Sequence, residues 1–148
     1  FAQKKNVRLQ LMAAAAMGKA GDAKAMAFLR ERMRNEKDSK LYTVAAWILG
    51  RIGAKSDIAL IRSRLADASD VLSKAYLNHA MAALGDPHGQ AALTSNMESN
   101  DPGIRVYAAV FASDAGMGEA KPQLIKLLRD DTLDVRIRAA QSLLVLSR

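Results

Sequence analysis

A short phrase recurs five times along the chain: small apolar residues, then a large apolar residue, then glycine or another small residue. The final residues of successive copies lie 32, 35, 28 and 31 positions apart. A period near thirty residues has room for two short helices and two turns, which is typical of stacked helical repeats rather than of a closed globule. The first four copies end at Gly18, Gly50, Gly85 and Ser113, and the fifth departs from the phrase by ending at the large residue Leu144.

Each phrase lies within a predicted first helix, and apolar residues at helical spacing predict a second helix in four of the units. The sequence therefore predicts an all-α chain with a single domain, 1–148, of about four and a half helix pairs. The repeat units are predicted at 5–37, 38–69, 70–100, 101–130 and, in part, 131–148. First helices are predicted over 6–19, 38–52, 70–84, 102–115 and 131–147, and second helices over 22–34, 55–67, 88–98 and 118–129.

Small residues in the first helices predict close packing between units. Methyl groups in place of larger side chains let helix backbones approach and bury a continuous seam. We therefore expect Gly18, Gly50 and Gly85 to lie where a side chain would strike a neighbouring helix or turn. Asp101 and Asp131 precede apolar-periodic stretches, where their oxygens can accept hydrogen bonds from the free N–H groups of a first helical turn.

Two segments, 101–109 and 131–140, share a longer pattern: an Asp, an Ile-Arg or Val-Arg pair, and two alanines that begin three positions after the Arg. This pattern resembles the HEAT-repeat signature. Residues 41–46 followed by 49–53 resemble the shorter, roughly thirty-residue HEAT-like repeat of the phycobilin-lyase type. The resemblance implies a right-handed α-α superhelix, a HEAT-like solenoid.

The resemblance also implies a structural role for two arginines. In that family the Asp and Arg of neighbouring repeats pair along the stack, so Arg105 and Arg136 are expected to pair there, with Asp101 and Asp131 nearby. The first three units depart from the pattern, because Gln10, Tyr42 and Leu77 occupy the arginine position. Any such ladder is therefore expected only in the C-terminal half.

Residues that carry chemistry are sparse. The chain has no cysteine, and neither His79 nor His88 has a second histidine or a carboxylate at the i+3 or i+4 spacing of a metal-binding helix face. Gly-rich phosphate loops and Gly-x-Ser-x-Gly nucleophile motifs are also absent. We therefore predict no catalytic residue, no metal site and no cofactor.

Charge is distributed unevenly between the two halves. Residues 1–74 hold 15 Lys/Arg and 7 Asp/Glu, whereas residues 75–148 hold 7 and 8. Equivalent positions of adjacent units stack about 10 Å apart, so basic residues near the second helices of the first two units predict a basic strip. The alternative is that these charges only solvate an Ala-rich array. The candidate partner-binding residues are Arg30, Arg32, Arg34, Lys55, Arg62 and Arg64.

The leading interpretation is a non-catalytic protein–protein interaction scaffold. Its concave second-helix face and basic N-terminal half would hold a protein or peptide of acidic character. One alternative is nucleic-acid backbone binding by the basic strip, as in HEAT-like DNA glycosylases. Another is a subunit of a cofactor or chromophore lyase, which the repeat length permits.

Three further expectations concern the surroundings of the chain. No apolar run approaches the roughly 18 residues of a membrane span. End-to-end self-association is expected, because the apolar Leu143, Leu144 and Leu146 need cover. A cytoplasmic location is favoured, with export as the alternative, since Phe1-Ala2 before Gln3 is compatible with the end of a secretory signal.

Overall fold

The computed structural model describes the backbone of residues 2–148 and the side chains of residues 6–148. Within this part the chain is all-α, with nine helices and no strand. Phe1, where the expected signal remnant begins, lies outside the described residues. The helices are α1 (Ala2–Lys19), α2 (Ala23–Asn35), α3 (Ser39–Ile52), α4 (Ile58–Ser63), α5 (Val71–Ala83), α6 (Pro87–Asn96), α7 (Pro102–Asp114), α8 (Lys121–Leu127) and α9 (Leu133–Leu146).

All nine predicted helices are present, but two second helices are shorter than predicted. A 3-10 turn, Lys55–Asp57, precedes α4, and another, Gly118–Ala120, precedes α8. The first of these turns is closed by Asp57, whose carboxylate accepts the Ala54 N–H at 3.0 Å. Tight turns of this kind commonly form the ends of short helices.

Aspartate side chains cap the N-termini of five helices. Each accepts a hydrogen bond from an N–H group of the first turn, which would otherwise lack a partner. Helix α9 differs, because its N-cap Thr132 makes no side-chain cap bond and Asp130 accepts the Thr132 N–H at 2.9 Å instead. The capping residues are Asp22, Asp38, Asp70, Asp86 and Asp101.

Helices α1, α3, α5, α7 and α9, which carry the recurring phrases, pack on one another in chain order, and we call them the first-helix layer. The second helices pack mainly against this layer: α2 on α1 and α3, α6 on α5 and α7, and α8 on α9. In the described part of the chain, none of the helices combines the length and apolar character that crossing a bilayer requires.

The buried core consists of two clusters that meet at α5. The first extends from α1 to α5 and includes Leu49 and Leu77, and the second extends from α5 to α9 and includes Ala82 and Leu93. Helix α5 therefore contributes side chains to both. It contacts α3 extensively but α7 much less so.

Each second helix supplies one fully buried leucine or isoleucine at an equivalent position. These four side chains are 0 % exposed and are separated by 32, 32 and 31 residues, which is more regular than the spacing of the phrases. They fix each second helix against its neighbours by burying apolar surface. They are Leu29, Ile61, Leu93 and Leu124.

The predicted glycines are required for different reasons. A Cβ on Gly50 would lie 2.8 Å from the Cα of Ala80, so α3 and α5 approach there as expected. A Cβ on Gly18 would meet the sulfur of Met26 at 2.7 Å. Gly85 has a φ of +85° with nothing closer than 3.8 Å, so the expected clash is wrong there. Glycine is required at position 85 because the backbone there is left-handed, a conformation that glycine adopts readily.

Candidate functional site

An open groove of about 580 Å³ lies across the first-helix layer. It lies along α3 and α5, with α1 on one side and one residue of α7 at its end. Six of its twelve lining residues are apolar or aromatic, and the other six carry hydroxyl or charged groups. The lining residues are Arg8, Met12, Ser39, Lys40, Thr43, Val44, Trp47, Asp70, Leu72, Ser73, Tyr76 and Phe111.

One part of the groove is basic. Arg8 and Lys40 are exposed there, and among the described residues neither forms an ion pair with a carboxylate. The nearby Asp70 is occupied as a helix cap, since its carboxylate accepts the Ser73 N–H at 2.8 Å and the Ser73 hydroxyl at 2.6 Å. These bonds lower the pKa of Asp70, which keeps it ionised. The two cations still leave a net positive charge.

Aromatic rings line the groove further along. The rings of Tyr76 and Phe111 meet edge to face, with centroids 5.1 Å apart. Trp47, the single tryptophan of the chain, is half-buried, and the guanidinium of Arg51 lies 5.2 Å from its ring centroid. Amphipathic rings with one exposed edge are common anchors at protein interfaces.

A second, smaller cleft of about 220 Å³ lies between the N-terminal parts of α5 and α7. Leu72 lines both this cleft and the groove, so the two depressions adjoin. The cleft is apolar apart from one carboxylate, and three of its side chains are well exposed: Val71 at 57 %, Leu72 at 43 % and Tyr107 at 41 %. Its lining residues are Val71, Leu72, Ala75, Asp101, Gly103, Ile104 and Tyr107.

Both depressions lie on the first-helix layer, whereas the sequence analysis expected the binding surface on the second-helix face. The second helices pack onto the first-helix layer more than onto one another. The alanine-rich first helices pack extensively at α3–α5 and α7–α9 and less so at α5–α7. Binding by the second-helix face stays a prediction, and the two depressions offer another candidate surface on α1, α3, α5 and α7.

Two candidate partner-binding residues, Arg30 and Arg62, pair with aspartates of the following unit. Nε of Arg30 lies 2.7 Å from Oδ1 of Asp57, and Nη2 of Arg62 lies 2.5 Å from Oδ1 of Asp86. Burial alone would raise the pKa of the Asp57 carboxyl, but hydrogen bonds from Arg30 and from the Ala54 N–H hold it below its usual value. Both arginines thus connect neighbouring units, with their charge balanced.

The other members of the expected strip are divided between buried and exposed positions. The Arg64 guanidinium lies 4.4 Å from the Tyr42 ring centroid and donates to the Glu36 carbonyl oxygen at 2.5 Å. Arg32 lies 3.9 Å from the Glu36 carboxylate. The structure therefore interleaves the strip with acidic and carbonyl groups, and a partner-binding role for it stays a prediction. The two remaining members, both exposed, are Arg34 and Lys55.

Arg105 and Arg136 hold the ends of helices together, but through Asp130. Arg105 donates two hydrogen bonds to the Asp130 carboxylate, at 2.7 and 2.9 Å, and this pairing lowers the pKa of Asp130. Arg136 donates to the backbone carbonyl oxygens of Asp130 and Asp131. The Asp101 carboxylate accepts the N–H of residue 103 as a helix cap. Asp101 and Asp131 are near enough to act on the charge of Arg105, as expected, but the carboxylate that pairs with it is that of Asp130.

Three of the linkers between units have a carbonyl oxygen that accepts a hydrogen bond from an arginine. Such oxygens lie outside the helices and need a partner where they are shielded from water. Arg105 and Arg136 donate from first helices, but Arg64 donates from the end of the second helix of its unit. In the second unit Tyr42 occupies the arginine position of the first helix. Arg64 therefore makes the corresponding contact, with the Glu36 carbonyl oxygen. The accepting residues are Ser99, Asp130 and Glu36.

His79 is fully buried behind the aromatic end of the groove. Its ring stacks on Phe111 with centroids 4.3 Å apart, and Nε2 lies 2.9 Å from Oδ2 of Asp114 without hydrogen-bond alignment. Arg51 pairs with the other oxygen of that carboxylate at 2.5 Å. Burial lowers the pKa of His79, and the Asp114 carboxylate offsets this only in part. The imidazole is therefore neutral at pH 7 and joins α3, α5 and α7.

Sequence reasoning missed most of the groove. It assigned no site role to Arg8 or Leu72. In the part of the chain that the structure describes, no group of His, Cys, Asp and Glu side chains could hold a metal ion. In comparisons with known proteins, no family model and no curated protein matches this chain.

Proposed function

We propose that this protein is a non-catalytic HEAT-like solenoid that binds a segment of a partner protein in the groove of its first-helix layer. The recurring phrase and the HEAT-like pattern at 101–109 and 131–140 support the repeat architecture. The packing of α1, α3, α5, α7 and α9 in chain order is consistent with it. In such arrays each helix pair buries its apolar face against the next, which leaves a long, preformed surface for binding.

The groove is the observation that carries the binding proposal. Its 580 Å³ is within the usual range for ligand-binding pockets, and its floor combines apolar side chains with Trp47 and Tyr76. Tryptophan and tyrosine are enriched among the residues that dominate binding energy at protein interfaces. Because Arg8 and Lys40 lie beside this floor, the partner segment is expected to carry acidic residues.

Affinity capture with matched variants tests the proposal. The immobilised wild-type chain and its Leu72→Asp and Leu128→Asp variants are incubated with an extract of the native source. Both leucines are exposed to a similar extent, at 43 % and 39 %, but only Leu72 lines the groove. A protein that binds to the wild type and to Leu128→Asp but not to Leu72→Asp supports the proposal. Partners that all three chains bind equally would contradict the groove as binding site.

A direct comparison separates this function from nucleic-acid binding. Binding to duplex DNA of unrelated sequence is measured at 50 and 200 mM salt, since phosphate contacts weaken steeply over that range. We expect no salt-sensitive DNA binding, because Arg30 and Arg62 are paired with carboxylates. Salt-sensitive binding that an Arg34→Glu, Lys55→Glu double variant abolishes would favour the nucleic-acid alternative.

A further inference from the structure

We infer that the groove and the α5–α7 cleft together form one track for an extended segment of about eight residues, acidic over α1 and α3 and apolar between α5 and α7. This inference rests on the proposed function and adds the composition and direction of the bound segment. The track is defined by Arg8 and Lys40 at its basic end, Leu72 at its middle, and Ile104 and Tyr107 at its apolar end.

The two depressions form a continuous surface. Leu72 is the side chain they share, and it is 43 % exposed. Tyr76 in the groove and Val71 in the cleft both belong to the first two turns of α5, as Leu72 does. A segment that leaves the groove over Leu72 therefore enters the cleft directly.

Charge gives the track a direction. Arg8 and Lys40 line only the first depression, whereas no basic side chain lines the second. The cleft instead contains the carboxylate of Asp101. An acidic residue is therefore attracted to the α1–α3 end and repelled from the α5–α7 end, so a segment with acidic residues at one end binds in one orientation.

The cleft has the properties of an apolar subsite. Contacts between α5 and α7 are few compared with those between α3 and α5, and the gap exposes Val71, Leu72 and Tyr107. Inserted aliphatic or aromatic side chains would remove this apolar surface from water, which is favourable in proportion to the area buried. The segment therefore completes packing that the chain leaves unfinished at this junction.

The direction of the track determines the shape of its occupant. It crosses from α1 to α7, three intervals between packed helices of about 9 Å each. An extended chain advances about 3.3 Å per residue, so about eight residues cover this distance. We therefore take the segment to be extended, since its backbone then follows the track from one depression to the next.

A synthetic probe tests the composition of the segment. The probe is Ac-EESGLSLF-NH2, and its control is Ac-LSEGESLF-NH2, which has the same composition but no acidic pair at the end. Trp47 reports binding, since it is the single tryptophan of the chain and it lines the groove. We expect the probe to change Trp47 emission at concentrations about tenfold lower than the control. Equal affinities, or a gain of helical circular dichroism on binding, would overturn the inference.

Charge reversal tests the basic end. Lys40→Glu is expected to weaken the probe about fivefold, the effect of an exposed charge pair. The matched control, Lys126→Glu on the exposed part of α8, is expected to leave affinity unchanged. A probe with two lysines in place of the acidic pair should in turn prefer the Lys40→Glu variant over the wild type. If the lysine probe shows no such preference, the direction of the track is wrong.

Zero-length crosslinking locates the acidic end independently. A carbodiimide joins a probe carboxylate to a lysine amine only when the two are in contact, and mass spectrometry identifies the lysine. Coupling at Lys40 supports the inference, whereas coupling mainly at Lys55, Lys121 or Lys126 overturns it. A natural partner that needs Leu72 while the probe binds without directional preference would leave the proposed function intact and refute only this inference.

Discussion

The α3–α5 junction and the α5–α7 junction use the same helix but pack it differently. At the first, Gly50 lies against the Cα of Ala80, and the fully buried Ala45 and Ala46 let the backbones approach. At the second, rings separate the helices, with His79 stacked on Phe111. Small side chains thus produce a closed junction between α3 and α5, whereas aromatic rings lie between α5 and α7, and the cleft opens at the N-terminal parts of these two helices.

This difference explains the position of the cleft that forms part of the proposed binding surface. Apolar side chains are buried at the closed α3–α5 junction. At the open α5–α7 junction, Val71, Leu72 and Tyr107 are exposed. A protein rarely leaves such groups clustered at its surface without an interaction partner. The proposed site is therefore a consequence of uneven packing within an otherwise regular array.

The largest expected effect is at the closed junction. Gly50→Ala would place a Cβ 2.8 Å from the Cα of Ala80 and force the two helices apart. We expect a loss of about 1–3 kcal/mol in the free energy of unfolding, measured by urea denaturation, although alanine is the better helix former by about 1 kcal/mol. Gly118→Ala is the control, since it has open space, and should change stability by less than about 0.5 kcal/mol. Equal effects would disprove the close approach.

The next effect concerns the C-terminal half alone. Arg105→Ala removes the two hydrogen bonds to Asp130 and the one to the Ser99 carbonyl oxygen. The Arg105 side chain is only 16 % exposed, so we expect a loss of about 1–2 kcal/mol in urea denaturation. Arg32→Ala, which breaks a longer contact of 3.9 Å, should cost less than about 0.5 kcal/mol. The reverse order would show that Arg105 is not a structural contact.

A smaller effect is expected at the open junction. Asp114→Asn removes the charge that pairs with Arg51, and because the Arg51 side chain is 48 % exposed we expect a loss of about 0.5–1 kcal/mol. Hydrogen exchange should increase mainly in α7. Asp134→Asn, which loses an exposed pair with Arg138 within α9, is the control and should cost about 0.3 kcal/mol. Unchanged hydrogen exchange in α7 would show that the Arg51–Asp114 pair does not hold α7 to α3.

The smallest effect is a pH dependence at the same junction. The pKa of His79 is lower in the folded protein than in the unfolded chain, so the unfolded chain binds more protons as the pH falls through about 6.5. Stability should therefore be highest above that pH and decrease from pH 7 to pH 5. The lowered pKa values of Asp57 and Asp130 change the stability only below about pH 4.

Thermal unfolding at pH 7, 6 and 5 measures this dependence. The slope of melting temperature against pH should become shallower in His79→Phe, because this variant keeps a ring beside Phe111 but has no titratable group there. It should persist in His88→Gln, because His88 is exposed. A His79→Phe variant with the wild-type slope would show that other groups cause the dependence.

The order of the helices could be predicted from the sequence because each unit carries local signals. Leu29 and Ile61 mark second helices by helical spacing, and Asp101 marks a helix start through its own first turn. Such signals act within a few residues, so the sequence displays them directly. The sequence also indicated that position 85 requires glycine, although the reason is a left-handed backbone rather than a close neighbour.

The site could not be predicted to the same extent, because it depends on contacts between units. Arg30 and Arg62 had the appearance of a free basic strip, since their partners Asp57 and Asp86 lie 27 and 24 residues further along the chain. Helical periodicity assigns a residue to a face of its own helix but does not say which layer will form a groove. The alanine-rich phrases of the first helices were the available signal for that layer.

The division of the core at α5 has a consequence for dissecting the molecule. Leu77 of this helix packs with one cluster and Ala82 with the other. A fragment that stops before α5 and a fragment that starts after it would each lack part of their hydrophobic core. Two autonomous halves would require duplicating that helix, so heating or denaturant should melt the chain in a single cooperative step.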